Sequence, residues 1–159
     1  MTRAVLSLGA NLGEPAEALR HAVQALAARV TVVAVSPVYE TEPVGGVPQD
    51  DFLNAVVVVE TDLPPRELLT FAHQIEYEAG RVRDVRWGPR SLDVDLVAYG
   101  DLTSPDPDVT LPHPRAHERA FVLRPWLDVD PDATLPGFGR VADLLPSATG
   151  AVRRAAVTL

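Results

Sequence analysis

The chain has 159 residues, 47% apolar and 23% charged, with a net charge of −8, the size and balance of a single globular domain spanning 1–159 with a core of its own. Cysteine and lysine are both absent, all fourteen basic residues being arginine, which excludes disulfides, thiol nucleophiles, Cys-ligated zinc, Schiff-base chemistry and a lysine-bearing phosphate loop. A pI near 4.9 argues against a broad nucleic-acid-binding face, and no apolar stretch has signal or membrane-spanning length, so the expected setting is the cytoplasm, away from membranes.

Ala4–Leu8 is apolar around one serine and reads as a buried strand, with Gly9-Ala10-Asn11-Leu12-Gly13 as the turn that closes it. Pro15 stands in the first turn of a helix whose Leu19, Ala22, Val23 and Leu26 recur at helical spacing to about Arg29. Val30–Val35 is β-branched and strand-like, stops at Ser36-Pro37 and resumes over Val38–Thr41. Residues 42–51, with two glycines and two prolines, form a loop before the strand Phe52–Glu60. Pro64-Pro65 opens a second helix with the stripe Leu68, Leu69, Ala72, Ile75, Ala79 and Gly80 as its C-cap. After the arginine-rich stretch 81–90 comes the strand Asp93–Tyr99. Beyond Gly100 the chain is proline-rich, with a short helix expected from Arg115 to about Trp126 and one more turn at Val141–Leu145.

This β-α-β-β-α-β order is that of a ferredoxin-like fold, an α+β two-layer sandwich with an antiparallel sheet, two helices on one face and a C-terminal extension.

Chemistry concentrates in one stretch. Arg81, Arg83, Arg86 and Arg90 surround Trp87 and Gly88-Pro89, and Ser91-Leu92-Asp93-Val94-Asp95-Leu96 follows directly. Arginine donates planar, bidentate hydrogen bonds to phosphoryl oxygens and stays charged at any working pH. In a strand, Asp93 and Asp95 share one face while Leu92, Val94 and Leu96 take the other. Two adjacent carboxylates repel unless a cation lies between them, and a hard ion such as Mg²⁺ prefers oxygen ligands of this kind. The combination is what handling of a polyphosphate with a divalent metal requires.

The stretch Arg86–Leu96 resembles the signature of the 6-hydroxymethyl-7,8-dihydropterin pyrophosphokinase family. So, in order, do Ser7–Gly13, Tyr39–Gly45, Phe52–Ala55, Glu76, Gly80–Arg83, Leu111–Pro114 and Arg119–Phe121. The resemblance covers nearly the whole chain. It implies transfer of the β,γ-diphosphoryl group of ATP to the hydroxymethyl oxygen of 6-hydroxymethyl-7,8-dihydropterin, with release of AMP, in folate biosynthesis. It implies two Mg²⁺ ions on Asp93 and Asp95, which with Arg81 and Arg90 form the catalytic set. For ATP it implies Glu76, Arg81, Arg83, Trp87, Arg90, Thr110, His113 and Arg119. For the pterin it implies Thr41, Pro43, Val44, Phe52, Asn54, Trp87 and Phe121. The expected state is a monomer. Three departures from the family pattern stand out: Phe52 replaces a frequent tyrosine, Glu42 a common proline, and Pro114 a frequent aromatic residue.

Two other classes of function compete. A regulatory small-molecule module on the same fold has no need of paired aspartates beside four arginines. An RNA-binding domain of this topology would carry aromatics on the central strand and a basic surface; Val56–Val59 and the net charge supply neither.

Overall fold

A computed structural model describes residues 1–43, 48–79 and 91–159. The elements in chain order are β1 (Thr2–Ala10), α1 (Pro15–Ala27), β2 (Thr31–Val35), β3 (Tyr39–Thr41), β4 (Phe52–Thr61), α2 (Pro65–Glu78) and β5 (Asp93–Tyr99). There follow α3 (Ala120–Val129), β6 (Thr134–Leu135), β7 (Gly139–Arg140), α4 (Val141–Leu144) and β8 (Val152–Arg154). Six strands make one antiparallel sheet in the order β5-β1-β4-β3-β8, with β2 also paired to β4.

Both long helices begin where a proline at the first position removes an N–H that the helix cannot satisfy. They lie on one face of the sheet. Leu19, Ala22 and Leu26 of α1 and Leu68, Ala72 and Ile75 of α2 pack on Ala4, Leu6, Leu8, Ala55, Val57 and Val59, all essentially sealed from solvent. This is the expected ferredoxin-like core.

The C-terminal extension builds a further layer. Val122, Leu123 and Trp126 of α3 cover the opposite face through Val5, Val56, Val58, Val97 and Ala98. Central strands buried on both sides explain why β1 and β4 read as near-continuous apolar runs instead of alternating ones.

Three boundaries differ from the sequence reading. β1 continues through Gly9 and Ala10, because β4 pairs with both and β5 pairs with Gly9. The helix expected from Arg115 is divided: a 3-10 turn at Ala116–Glu118 is followed by extended backbone at Arg119, and α3 begins at Ala120. The division has a cause in hydrogen bonding, since Thr149 N–H donates to the Glu118 carbonyl and Ala120 N–H to the Thr149 carbonyl. The C-terminus, finally, forms β8 on the outer edge of β3, and Ala155 N–H donates to the Val38 carbonyl. The break between β2 and β3 falls where the sequence put it. There the Ser36 hydroxyl accepts the Val56 N–H at 2.8 Å, taking the place of a ladder carbonyl.

The proposed Gly80 cap and the stretch 81–90 lie outside the described residues, as do residues 44–47.

Candidate active site

The register brings the polar residues of four strands onto the face that α3 covers, beyond the end of that helix. Asn54 on β4 lies opposite Gly9 on β1, and Gly9 lies opposite Asp93 on β5. One step further along, Ser7 lies opposite Val56 and Asp95. Thr41 on β3 pairs with Phe52. Thr41, Phe52, Asn54, Ser7, Gly9, Asp93 and Asp95 therefore share one surface. Sequence positions spread over almost ninety residues become neighbours because these strands are antiparallel and keep one register across Ser7 and Gly9.

One end of this surface is tied by a buried side-chain hydrogen bond. Asn54 and Thr41 are buried, and the Asn54 Nδ2 donates to the Thr41 Oγ1 at 2.8 Å. That bond fixes the orientation of the amide and leaves its Oδ1 toward Gly9. A Cβ built on Gly9 would come within 3.0 Å of this oxygen. Gly9 thus keeps the floor flat between an amide edge and the two carboxylates. Pro43, Phe52 and Phe121 are each partly exposed, with Phe52 in register beside Thr41. Phe121 lies under the Arg119 guanidinium, whose carbon is 5.4 Å from the ring centroid, a cation–π pair that holds both side chains.

At the other end Asp93 and Asp95 remain partly exposed on β5, an edge strand, with the intervening Val94 buried in the core. The N–H of Val94 points out of the sheet and donates to the Glu76 Oε2 at 3.1 Å. Glu76 is 3% exposed. A buried carboxylate from α2 thus ties down the peptide between the two aspartates.

Arg119 stands close enough to feel both acids. Burial lowers its pKa, and Asp95, then Asp93, partly restore it. His113 is pushed down to about 4 by burial and by the charges of Arg119 and Arg115. Its Nδ1 accepts the Arg115 N–H at 3.2 Å, so the neutral ring carries its proton on Nε2 and can donate from there.

His113 also lines a cleft of about 230 Å³, with Leu69, Asp95, Leu96, Val109, Thr110, Leu111 and Pro114. The walls are mostly aliphatic, with the Asp95 carboxylate and the Thr110 hydroxyl at the rim; the hydroxyl donates to the Asp106 carbonyl at 3.0 Å. This volume suits one flat heterocycle rather than a whole nucleotide.

Of the sequence-derived candidates, Thr41, Pro43, Phe52, Asn54, Asp93, Asp95, Thr110, His113, Arg119 and Phe121 lie on or around this surface, and Glu76 lies behind β5. Val44, Arg81, Arg83, Trp87 and Arg90 fall outside the described residues. Sequence reasoning missed Gly9 and Ser7 as floor residues and Leu69, Leu96, Val109 and Leu111 as cleft walls. Among the described residues no three His, Asp or Glu side chains gather as a ready-made metal cage, and no helix is long and apolar enough to cross a membrane.

Residues 5–131 match the family model for 7,8-dihydro-6-hydroxymethylpterin-pyrophosphokinase (HPPK). The chain is 48% identical over 145 residues to a 2-amino-4-hydroxy-6-hydroxymethyldihydropteridine pyrophosphokinase of Mycobacterium tuberculosis, covering 85% of this chain and 76% of that one. A protein of the same name from Pseudomonas aeruginosa is 41% identical, with 90% of each chain covered. The Plasmodium falciparum HPPK-DHPS structure with SDX-DHP is similar in fold, with a TM-score of 0.70 at 15% identity over 92% of this chain. This chain spans 43% of that longer one.

Proposed function

This chain belongs to the 7,8-dihydro-6-hydroxymethylpterin-pyrophosphokinase family, and we propose that it transfers the pyrophosphoryl group of ATP to 6-hydroxymethyl-7,8-dihydropterin in folate biosynthesis. The hydroxymethyl oxygen bonds to the β-phosphorus, the bond from that phosphorus to the α-phosphate breaks, AMP leaves and the hydroxyl proton is lost. One observation carries the reading: Asn54 and Asp93 flank Gly9 in a single cross-strand row. Strand spacing puts them about 10 Å apart, with no side chain between. A flat bicyclic ring recognised at its amide-like edge by Asn54 and Thr41 would lie over Gly9 and direct its hydroxymethyl arm at the carboxylates.

The donor set suits a hard divalent ion. Two partly exposed carboxylates on one face supply part of an oxygen shell, and phosphate oxygens and water supply the rest, which is how Mg²⁺ is usually held at phosphoryl-transfer sites. When bound, two Mg²⁺ ions would neutralise triphosphate charge and make the hydroxymethyl oxygen more acidic.

The chain's own residues do the positioning. Phe121 offers a stacking face, and Phe52 and Pro43 close the slot around the ring. The Nε2–H of His113 and the guanidinium of Arg119 donate to phosphate oxygens, while the aliphatic cleft beside Thr110 takes the adenine. Arg81, Arg83 and Arg90 add phosphate donors and Trp87 covers the ring, as the family pattern implies. Glu76 serves this site by holding β5 rather than by touching the nucleotide.

The test is AMP release from ATP, measured with and without the hydroxymethyl pterin, in the native chain and in Asp93→Asn and Asp95→Asn. Pterin-dependent AMP formation is expected, with loss on the order of 10³-fold or more in each variant. Formation of ADP, ATP turnover independent of the pterin, or full activity in both variants would overturn the assignment.

A further inference from the structure

Residues 42–51 connect β3 to β4 and leave the sheet directly beside the Thr41–Phe52 pair. One side chain outside the matched family region closes the neck of that connection. Arg153, on β8, lies opposite Glu40. Its Nη2 donates to the Glu40 Oε2 at 3.2 Å and to the Asp51 Oδ2 at 2.5 Å. Glu40 is the residue before Thr41, and Asp51 is the residue before Phe52. A single guanidinium therefore joins the two stems of the connection, one residue away from each side chain placed at the pterin ring.

Strand alternation sets the direction of this effect. Glu40 and Asp51 project to the face opposite Thr41 and Phe52, so Arg153 does not touch the slot. It acts through the backbone of the stems. A second anchor holds the same arm from inside: the buried Asn11 donates through Nδ2 to the Gln49 side-chain oxygen and to the Asp50 carbonyl, both at 2.8 Å. Residues 49–51 are thus pinned between the turn after β1 and the C-terminal strand. β8 is in turn fixed by its ladder to β3, by the Ala155 N–H to Val38 bond and by Arg20, which donates to the Thr158 carbonyl.

We propose that Arg153 is a positioning residue for pterin recognition, a clamp through which the C-terminal strand presets the spacing of the stems that carry Thr41 and Phe52. The proposal rests on the pterin assignment of that slot. Arg153 is 55% exposed, and exposed ion pairs contribute little to global stability. Removing it leaves the fold intact and transfers an ordering cost to the binding step.

The experiment is a fluorescence titration of the hydroxymethyl pterin with saturating Mg²⁺ and a non-hydrolysable ATP analogue. It compares the native chain with Arg153→Ala, Arg153→Lys, the charge swap Arg153→Asp with Asp51→Arg, and Asn54→Ala. Affinity for the ATP analogue and thermal midpoint are measured in parallel. Arg153→Ala is expected to raise the pterin Kd roughly three- to tenfold, with little change in ATP-analogue affinity or thermal midpoint. Lysine should recover part of the loss because it keeps the charge but not the fork, and the swap should also recover only part of it, because an acid at position 153 would face Glu40 across the ladder. High salt should weaken pterin binding in the native chain and not in Arg153→Ala. Unchanged pterin affinity in Arg153→Ala, or an equal loss for both ligands, refutes the clamp. If Asn54→Ala weakens pterin binding and Arg153→Ala does not, the clamp falls while the slot stands. If neither weakens it, the slot assignment fails and the clamp with it.

Discussion

Replacing Glu76 by alanine tests how the strand of the paired aspartates is held. In the native chain a carboxylate that is 3% exposed accepts the N–H of Val94, the peptide between Asp93 and Asp95. Among the described residues β5 is the sheet edge, and no strand pairs with that N–H on its outer side. Alanine leaves it buried and unsatisfied, at a cost of about 1–3 kcal/mol. Relief from burying a charge offsets part of that cost. A net loss of ~2 kcal/mol lowers the thermal midpoint by about 4–8 °C in a domain of this size. Glu76→Gln keeps an oxygen at the same distance and should lose roughly half as much.

The functional consequence is separate from the stability change. If the peptide at Val94 relaxes outward, the spacing of the two carboxylates changes, and a misplacement of about 1 Å in a catalytic constellation can cost up to ~10²-fold in rate. Three quantities are to be measured: thermal midpoint, Mn²⁺ affinity in the presence of ATP by titration calorimetry, and hydrogen exchange of the Val94 amide. Glu76→Ala should show faster exchange at Val94 and weaker Mn²⁺ binding; Glu76→Gln should stay close to native in both. Native Mn²⁺ affinity and slow exchange in the alanine variant would refute the reasoning, whatever the melting temperature does.

Gly9→Ala is expected to weaken pterin binding about tenfold and to lower stability by ~1–3 kcal/mol through overpacking, because the new methyl would meet the Asn54 Oδ1 at 3.0 Å; a native pterin Kd in that variant removes Gly9 from the floor of the slot. The His113 ring should titrate near pH 4 by NMR in the free protein, depressed by burial and by Arg119 and Arg115, and move upward when a triphosphate binds beside Nε2. Its folded pKa lies below the unfolded value of about 6.5, so its contribution to stability is complete above that pH and is lost as pH falls toward 4; an ordinary midpoint near 6.5 in the free protein would contradict this.

The fold was legible where local pattern and tertiary demand coincide. Asp93–Tyr99 is a strand in the structure as in the sequence reading because its apolar residues alternate with the two acids. The interruption at Ser36-Pro37 was legible because proline has no N–H to give to the ladder. Local pattern reads Gly9 as part of a turn, since glycine by itself signals one. What places it inside β1 is Asn54, 45 positions away in the register, and no local rule reports that distance. Arg153 was invisible for the same reason, its carboxylate partners being Glu40 and Asp51. The cleft walls Val109 and Leu111 sit in a proline-rich stretch without periodicity and gain meaning only where the chain returns to Ser104 and His113 donates its N–H to Val97.

Charge was the most misleading global number and the most useful local one. A chain of net charge −8 would repel a triphosphate if the whole surface acted together. Screening at physiological salt limits each exposed charge to about 8 Å, so the field at the site is set by the groups beside it. Arg119 and Arg115 stand next to His113, with Asp95 and Asp93 facing Arg119. Arg119 shows why arginine rather than lysine suits that position. Burial lowers its pKa, but from a starting value so high that the guanidinium keeps its proton; an ammonium begins about two units lower and yields more readily to the same desolvation. Arg119→Lys should therefore lose activity progressively as pH rises through the alkaline range in which the native chain still works. If the two pH profiles coincide, retention of charge is not what arginine supplies there, and its planar fork over Phe121 remains the explanation.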